Sequence, residues 1–343
     1  LKKVKILVVD DSILIRRILK DLIESDERFE VICEASDGIE AIDKMKECNP
    51  DIITLDIEMP RMNGLFALQH ILRIKKIPII IISSYTKTGS KMALKALEMG
   101  ALDIVEKPIS LDYGEKKEEI LLKLSSILHL NYDYIKDVTP TEVKEKTIKR
   151  LKKEEARKLV AIASSTGGPK SLMEIIPRIK EDIDCGIVIV QHMPAGFTRS
   201  FAERLNSLSN LNVFESYDGY KLLNGDCVVA QGGKHLVFDE NGYITHTDDP
   251  PYHSVKPSAD IMMISAVKYY KSKIIGVVLT GMGKDGSEGV KIIKKMNGKN
   301  ISESKNSALI YGMPKAAEET GAVDYVLDKE LIAEKIEEIV DEI

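Results

Sequence analysis

Three short stretches of the chain hold residues able to pass a proton between them: Ser165 in IASSTGGP, His192 in VIVQHMP and Asp285 in LTGMGKDG. A serine hydroxyl becomes a nucleophile when a base removes its proton, and an imidazole is the side chain suited to that near neutral pH. A carboxylate then orients the ring and stabilises its charged form. Ala163-x-Ser165-x-Gly167 nearly matches the G-x-S-x-G turn that exposes a nucleophile, with Ala where the first Gly would stand. Ser164, one step earlier, points elsewhere. A Ser/Gly-rich turn that only caps the following helix would use the same residues. Backbone amides of the glycine-rich turn before Asp285, that of Met282 in particular, are candidate donors to an oxyanion.

Other readings compete for these positions. His235, after a Gly-Gly turn, is the strongest rival base; His70 and His129 lie in the N-terminal part, and His246 and His253 in loop-like sequence. Gly281-x-Gly283-x-x-Gly286 matches the dinucleotide fingerprint, with Glu303 near the distance expected of a ribose-binding acid. Asp285 speaks against it, because it would set a carboxylate beside the pyrophosphate at a helix N-terminus. Nothing else supplies a hydride acceptor or a substrate clamp.

A second set lies near the N-terminus. Asp10, Asp11, Asp56, Ser83 and Lys107 each follow or end an apolar run. Three carboxylates at close quarters repel one another unless a hard cation sits between them, and Mg²⁺ suits such oxygens. Asp56 would then attack a phosphoryl donor, with Lys107 and the Ser83 hydroxyl on the phosphoryl oxygens.

The elements that must position these residues follow from periodicity. Apolar runs at 4–9, 29–34, 52–55, 77–82 and 103–105 alternate with helical patterns at 15–22, 39–48, 65–74 and 91–99. Such alternation builds a parallel sheet with helices on both faces, and its reactive edge lies beyond the carboxyl ends of the strands. The alternation restarts at residue 158, with strands at 159–162, 186–190 and 274–279 and helices at 201–208, 288–296, 315–320 and 329–340. Between 213 and 246, short apolar runs punctuated by Gly219, Gly225, Gly232-Gly233 and Asn241-Gly242 predict hairpins. Residues 131–157 are rich in lysine and glutamate around Pro140 and read as a linker. The expected architecture is α/β: two doubly wound, mostly parallel-sheet domains, 1–130 and 158–343, joined by that charged linker.

A length of 343 residues suits two domains. The net charge of -5 gives no reason to expect a nucleic-acid partner, and no helix-turn-helix or basic patch is present. Four cysteines (Cys33, Cys48, Cys185, Cys227) without a CxxC pair argue for a reducing compartment and against zinc or a disulfide framework. No apolar run reaches about 18 residues, so no membrane insertion is expected and a cytoplasmic location is.

VVDDS, TLDIEMPRMNG, ISS and VEKP resemble the receiver domain of two-component response regulators, over residues 2 to about 128. That resemblance implies a flavodoxin-like fold, Mg²⁺ at Asp10, Asp11 and Asp56, and phosphorylation of Asp56 by a histidine kinase. Ile104 stands where many receivers carry an aromatic switch residue. IASSTGGP, VIVQHMPAGFTRSFAERL, VVAQGGKH, PPYHSVKPSAD, VVLTGMGKDG and YGMPKAA resemble the catalytic domain of the chemotaxis protein-glutamate methylesterases, which carry a receiver in front. The departures are Ala163, often Gly in that family, and Gln231, often Pro. This second resemblance implies a Rossmann-like three-layer domain, with Ser165 as nucleophile, His192 as base and Asp285 as the third member. It also implies hydrolysis of glutamate methyl esters, and deamidation of glutamines, on methyl-accepting chemoreceptors, with no cofactor for that step. The receiver–linker–enzyme order implies restraint of the catalytic half until Asp56 is phosphorylated. A scaffold that kept the fold and lost catalysis, or a DNA output domain, is the non-enzyme alternative; the intact Ser-His-Asp set opposes the first.

Overall fold

A computed structural model describes residues 2–84, 86–108, 114–130 and 154–343, and the chain divides near residue 140 into two compact units. In the first, β1 (Val4–Val9), β2 (Phe29–Ala35), β3 (Ile52–Asp56), β4 (Ile79–Ser83) and β5 (Asp103–Glu106) alternate with α1 (Ile13–Glu24), α2 (Gly38–Cys48), α3 (Gly64–Ile74), α4 (Lys87–Glu98) and α5 (Gly114–Ser126). The strands form a wholly parallel sheet in the order β2-β1-β3-β4-β5. The runs ending β1, β3 and β4 are buried on both faces, as expected of strands covered by helices above and below. Four of the helices start where a polar side chain accepts from the first turn: Ser12, Asp37, Asn63 and Thr86. The strand order reverses between β1 and β3, so Asp10, Asp11 and Asp56 emerge around the crevice formed there.

One expectation is corrected here. Cys33 on β2 and Cys48 at the end of α2 form a disulfide, with Cα atoms 6.5 Å apart. The helix runs back along the strand that precedes it, which returns two cysteines fifteen residues apart to one place. Cys185 and Cys227 are free and buried.

The second unit is built on seven strands in the order β15-β14-β13-β6-β7-β10-β8, again wholly parallel. In chain order it runs β6 (Leu159–Ser164), α6 (Gly168–Ile175), β7 (Gly186–Gln191), α7 (Phe197–Leu208), β8 (Asn212–Glu215), β9 (Tyr220–Lys221), β10 (Asp226–Val229), β11 (His235–Phe238) and β12 (Tyr243–Thr247). It continues with α8 (Ala259–Tyr270), β13 (Ile274–Val278), α9 (Ser287–Lys295), β14 (Lys299–Glu303), α10 (Met313–Glu319), β15 (Tyr325–Leu327) and α11 (Lys329–Glu342). The order reverses between β6 and β13, which makes the crevice beyond their carboxyl ends the natural site.

Of the expected hairpins, β11 and β12 do pair antiparallel around Asn241-Gly242, with β9 beside β12. β8 and β10 instead pair parallel at the edge of the main sheet, because β9 carries the chain away between them. Of the expected connector, residues 131–153 lie outside the described residues, as does the side chain of His129. Its last part packs on the second unit: Ala156 is buried and donates its N–H to Leu222 O, while Glu155 accepts from the Tyr269 hydroxyl at 2.6 Å on α8. No helix among the described residues is long and apolar enough to cross a membrane.

Candidate active site

At the crevice of the first unit, carboxylate oxygens of Asp10, Asp11 and Asp56 all lie within 4.8 Å of one another. Lys107 Nζ reaches Asp56 at 2.7 Å and Asp10 at 3.0 Å, and Ser83 ends the neighbouring strand β4, its carbonyl accepting from the Lys107 N–H. Burial pushes the Asp56 carboxyl up to about 6 and also raises Asp10, despite the pull of the lysine. Two buried acids and one exposed acid, all oxygen donors around one point, fit a hard divalent cation such as Mg²⁺.

In the second unit the carboxyl ends of β6, β7 and β13 bring the other three residues to one edge. Ser164 pairs with Gln191 across β6 and β7, so the next residue on each strand, Ser165 and His192, emerge side by side. The Ser165 N–H donates to Thr280 O at 3.0 Å, just past β13, and the His192 N–H to Ser164 O at 3.0 Å. Gln191 ties the two together: its Nε2 donates to Ser165 O (2.9 Å) and His192 O (3.2 Å), and its Oε1 accepts from Ser164 Oγ (2.7 Å). The Ser164 hydroxyl is thereby consumed in the interior, while Ser165 stays at the rim.

The turn differs from a strained nucleophile elbow: Gly167, not Ser165, takes the left-handed conformation, at φ 81°. Gly281 lies so close that a Cβ there would sit 2.6 Å from Ser165 Cβ. That contact brings the turn holding Met282 against the serine.

Asp285 meets His192 directly, Oδ2 to Nε2 at 2.8 Å. The same carboxylate accepts from Ser258 Oγ (2.7 Å) and the N–H groups of Ala259 (2.7 Å) and Asp260 (3.0 Å). Burial alone would raise its pKa, but these donors, His192 first, hold it below the usual carboxylate range. An ionised Asp285 fixes a proton on Nε2, which leaves the lone pair of the imidazole on Nδ1. Nδ1 is buried and has no hydrogen-bond partner. No hydrogen bond joins the Ser165 hydroxyl to the ring, a bond that catalytic pairs often complete only with substrate present.

Two of the rival histidines, His235 and His246, are otherwise engaged. His235 bridges Pro250 O (3.1 Å) and the Ser258 N–H (3.1 Å), so it supports the N-cap of α8. His246 stands between Ser216 Oγ (2.7 Å, Nε2) and Asp218 (2.9 Å, Nδ1), a second Ser–His–Asp chain that sequence reasoning missed. Its hydroxyl already accepts from the Gln231 N–H at 3.0 Å. The dinucleotide reading loses its acid: Glu303 is buried on β14, accepting from the Thr280 N–H (2.8 Å) and Ser307 Oγ (3.0 Å). Ser258, Asp260, Gln191 and Thr280 were not singled out from the sequence. Only their presence inside the PPYHSVKPSAD, QHMP and LTGMGKDG stretches marked them.

The profile of the family described as CheB methylesterase matches residues 160–336, and that of the response regulator receiver domain matches residues 6–117. A protein-glutamate methylesterase/protein-glutamine glutaminase of Pyrococcus horikoshii is 45% identical over 98% of this chain and 93% of its own length. Its counterpart in Clostridium acetobutylicum is 42% identical over 99% of both chains. The crystal structure of the Thermotoga maritima CheB methylesterase catalytic domain is 43% identical and superposes with a TM-score of 0.52, covering 53% of this chain and 98% of that one.

Proposed function

The chain belongs to the CheB methylesterase family, with a response-regulator receiver in front, and from that premise we propose that it hydrolyses glutamate methyl esters and deamidates glutamines on the cytoplasmic helices of methyl-accepting chemoreceptors. Ser165 Oγ attacks the side-chain carbonyl carbon while His192 Nδ1 takes the hydroxyl proton. Asp285 holds the ring and balances its charge, and the Met282 N–H donates to the developing oxyanion. Collapse of that adduct breaks the bond to the methoxy group, which leaves as methanol with the proton from His192. Water then attacks the acyl-serine and loses a proton to His192; the bond from the acyl carbon to Ser165 Oγ breaks, His192 returns that proton to Oγ, and glutamate is released. With a glutamine side chain the same steps release ammonia. Apart from substrate and water, every group on this route is a side chain or amide of the chain itself.

In the receiver, Asp10, Asp11 and Asp56 would hold Mg²⁺, which when bound offsets the negative charge of an incoming phosphoryl group. Asp56 takes that group from a chemotaxis histidine kinase, with Lys107 and Ser83 contacting its oxygens. Phosphorylation then relieves a restraint that the receiver places on hydrolysis; a preference of a few kcal/mol for the active state is enough.

The observation that carries the reading is the His192 ring, bound to an ionised buried acid through one nitrogen and bare at the other, beside a serine on the adjacent strand end. The test is methanol release from methylated receptor membranes by the parent protein and Ser165→Ala. Loss of release in the variant is expected. Undiminished release would remove Ser165 from the chemistry.

A further inference from the structure

Helices α8 and α9 begin on each other's acid. Asp285 stands just ahead of α9, yet its carboxylate closes the N-terminus of α8 through Ser258, Ala259 and Asp260. Asp260 lies in the first turn of α8, yet its Oδ1 accepts the N–H of Gly289 in the first turn of α9 at 2.7 Å. The two helices approach so closely that a Cβ on Gly289 would lie 2.5 Å from Met263 Sδ. Neither acid caps its own helix.

We propose that Asp260 is a positioning residue: its bond to Gly289 clamps the start of α9 to the start of α8, and so fixes the approach from which Asp285 meets His192. This rests on the reading of Asp285 and His192 given above. The clamp spans the stretch between Gly281, held against Ser165, and the first turn of α9; the turn carrying Asp285 is otherwise tied to α9 by the Ser287 N–H donating to Lys284 O at 3.0 Å, and the N-cap Gly286 supplies no side chain.

The two carboxylates are not equivalent. Asp285 accepts four donors, whereas Asp260 Oδ2 is fully buried and has no partner. Two adjacent buried anions are costly, and the proton settles on the acid with fewer donors. Burial and the charge of Asp285 push Asp260 up to about 7, against the pull of the Gly289 and Gly286 amides; Glu288 on α9 adds to the push. His192 and His235 face this pair only through Asp285 and Ser258. With the proton on Oδ2, Asp260 still accepts the Gly289 N–H through Oδ1 and does not compete for the imidazole, a role that asparagine can fill.

The experiment uses full-length Asp260→Ala and Asp260→Asn beside the parent and Ser165→Ala. Methanol release from methylated receptor membranes gives kcat and KM, and the far-downfield proton of the His192 Nε2–H···Asp285 bond is read by NMR without turnover. Alanine should lower kcat by up to about a hundredfold with KM unchanged, and displace the imidazole signal. Asparagine should restore most of both. The proposal is overturned if alanine leaves kcat and the signal as in the parent, or if asparagine is as damaging as alanine. Activity surviving in Ser165→Ala would instead refute the nucleophile assignment, and the NMR comparison would still decide the role of Asp260.

Discussion

Asp285 Oδ2 lies 2.8 Å from His192 Nε2, while the opposite ring nitrogen is buried without a partner. The carboxylate therefore decides which nitrogen carries the proton and which is free to accept one. Asn at position 285 can offer an NH₂ to Nε2 and reverse that choice. Asp285→Asn should lower kcat for methanol release on the order of a thousandfold or more, at a stability cost of about 1–3 kcal/mol because an NH₂ facing Nε2 also faces the Ala259 N–H that Oδ2 accepts. A decrease of less than about tenfold would show that the acid does not set the tautomer.

Gly281 offers a second probe, because its missing side chain is what lets the β13 turn reach Ser165. A Cβ there would lie 2.6 Å from Ser165 Cβ and 2.4 Å from Met313 Sδ, and the serine is the less yielding neighbour. Gly281→Ala should lower kcat by about tenfold or more, at a stability cost of about 1–3 kcal/mol from overpacking. Phosphorylation of Asp56 should proceed as in the parent. Unchanged kcat would mean that the serine tolerates displacement.

The receiver's acids give a pH prediction. Asp56 is held at about 6 in the fold, against about 3.9 in an unfolded chain. Between those values the unfolded chain has released a proton that the folded chain retains, so stability falls as pH rises through that window. The shift of about two units is worth about 3 kcal/mol, fully lost above about pH 6. Mg²⁺ binds the ionised acids and offsets that loss. Added Mg²⁺ should raise the receiver's melting temperature much more at pH 8 than at pH 5, and an equal rise at both would count against a carboxylate cation site.

Ser216, His246 and Asp218 repeat the residue types of the proposed centre without its setting. The Ser216 hydroxyl is buried and already shared between His246 and the Gln231 amide, tying the end of β8 to β12 and to the loop after β10. Ser216→Ala should leave methanol release unchanged and lower stability by about 1–3 kcal/mol, the range for an orphaned buried hydrogen bond. A fluorophosphonate probe should label the peptide holding Ser165 and not the one holding Ser216.

Strand ends were legible because runs such as VKILVV and IIII have no place but a covered parallel sheet, and both crevices follow from where those runs stop. What stayed hidden has a common cause. The α8 sequence ADIMMISAVKYY is apolar on most sides and lacks a clear helical period. The β14 sequence KNISE buries Asn300, Ser302 and Glu303, polar residues with partners on other elements: Val290 O on α9, Glu318 on α10 and the Thr280 N–H after β13. Ser258 and Asp260 were invisible as site residues for the same reason: their task exists only because α8 abuts α9. The parallel pairing of β8 with β10 was misread since glycine marks a turn but not its direction.

The central pair of the large sheet joins β6 to β13, strands more than a hundred residues apart. A nascent chain that has left the ribosome as far as β12 therefore carries the serine and the histidine but has no crevice to hold them. The sheet's middle closes only on arrival of the segment that also brings the acid. On the proposed assignment, a chain that stops before that segment lacks both the acid and one wall of the crevice, and is expected to be inert toward esters.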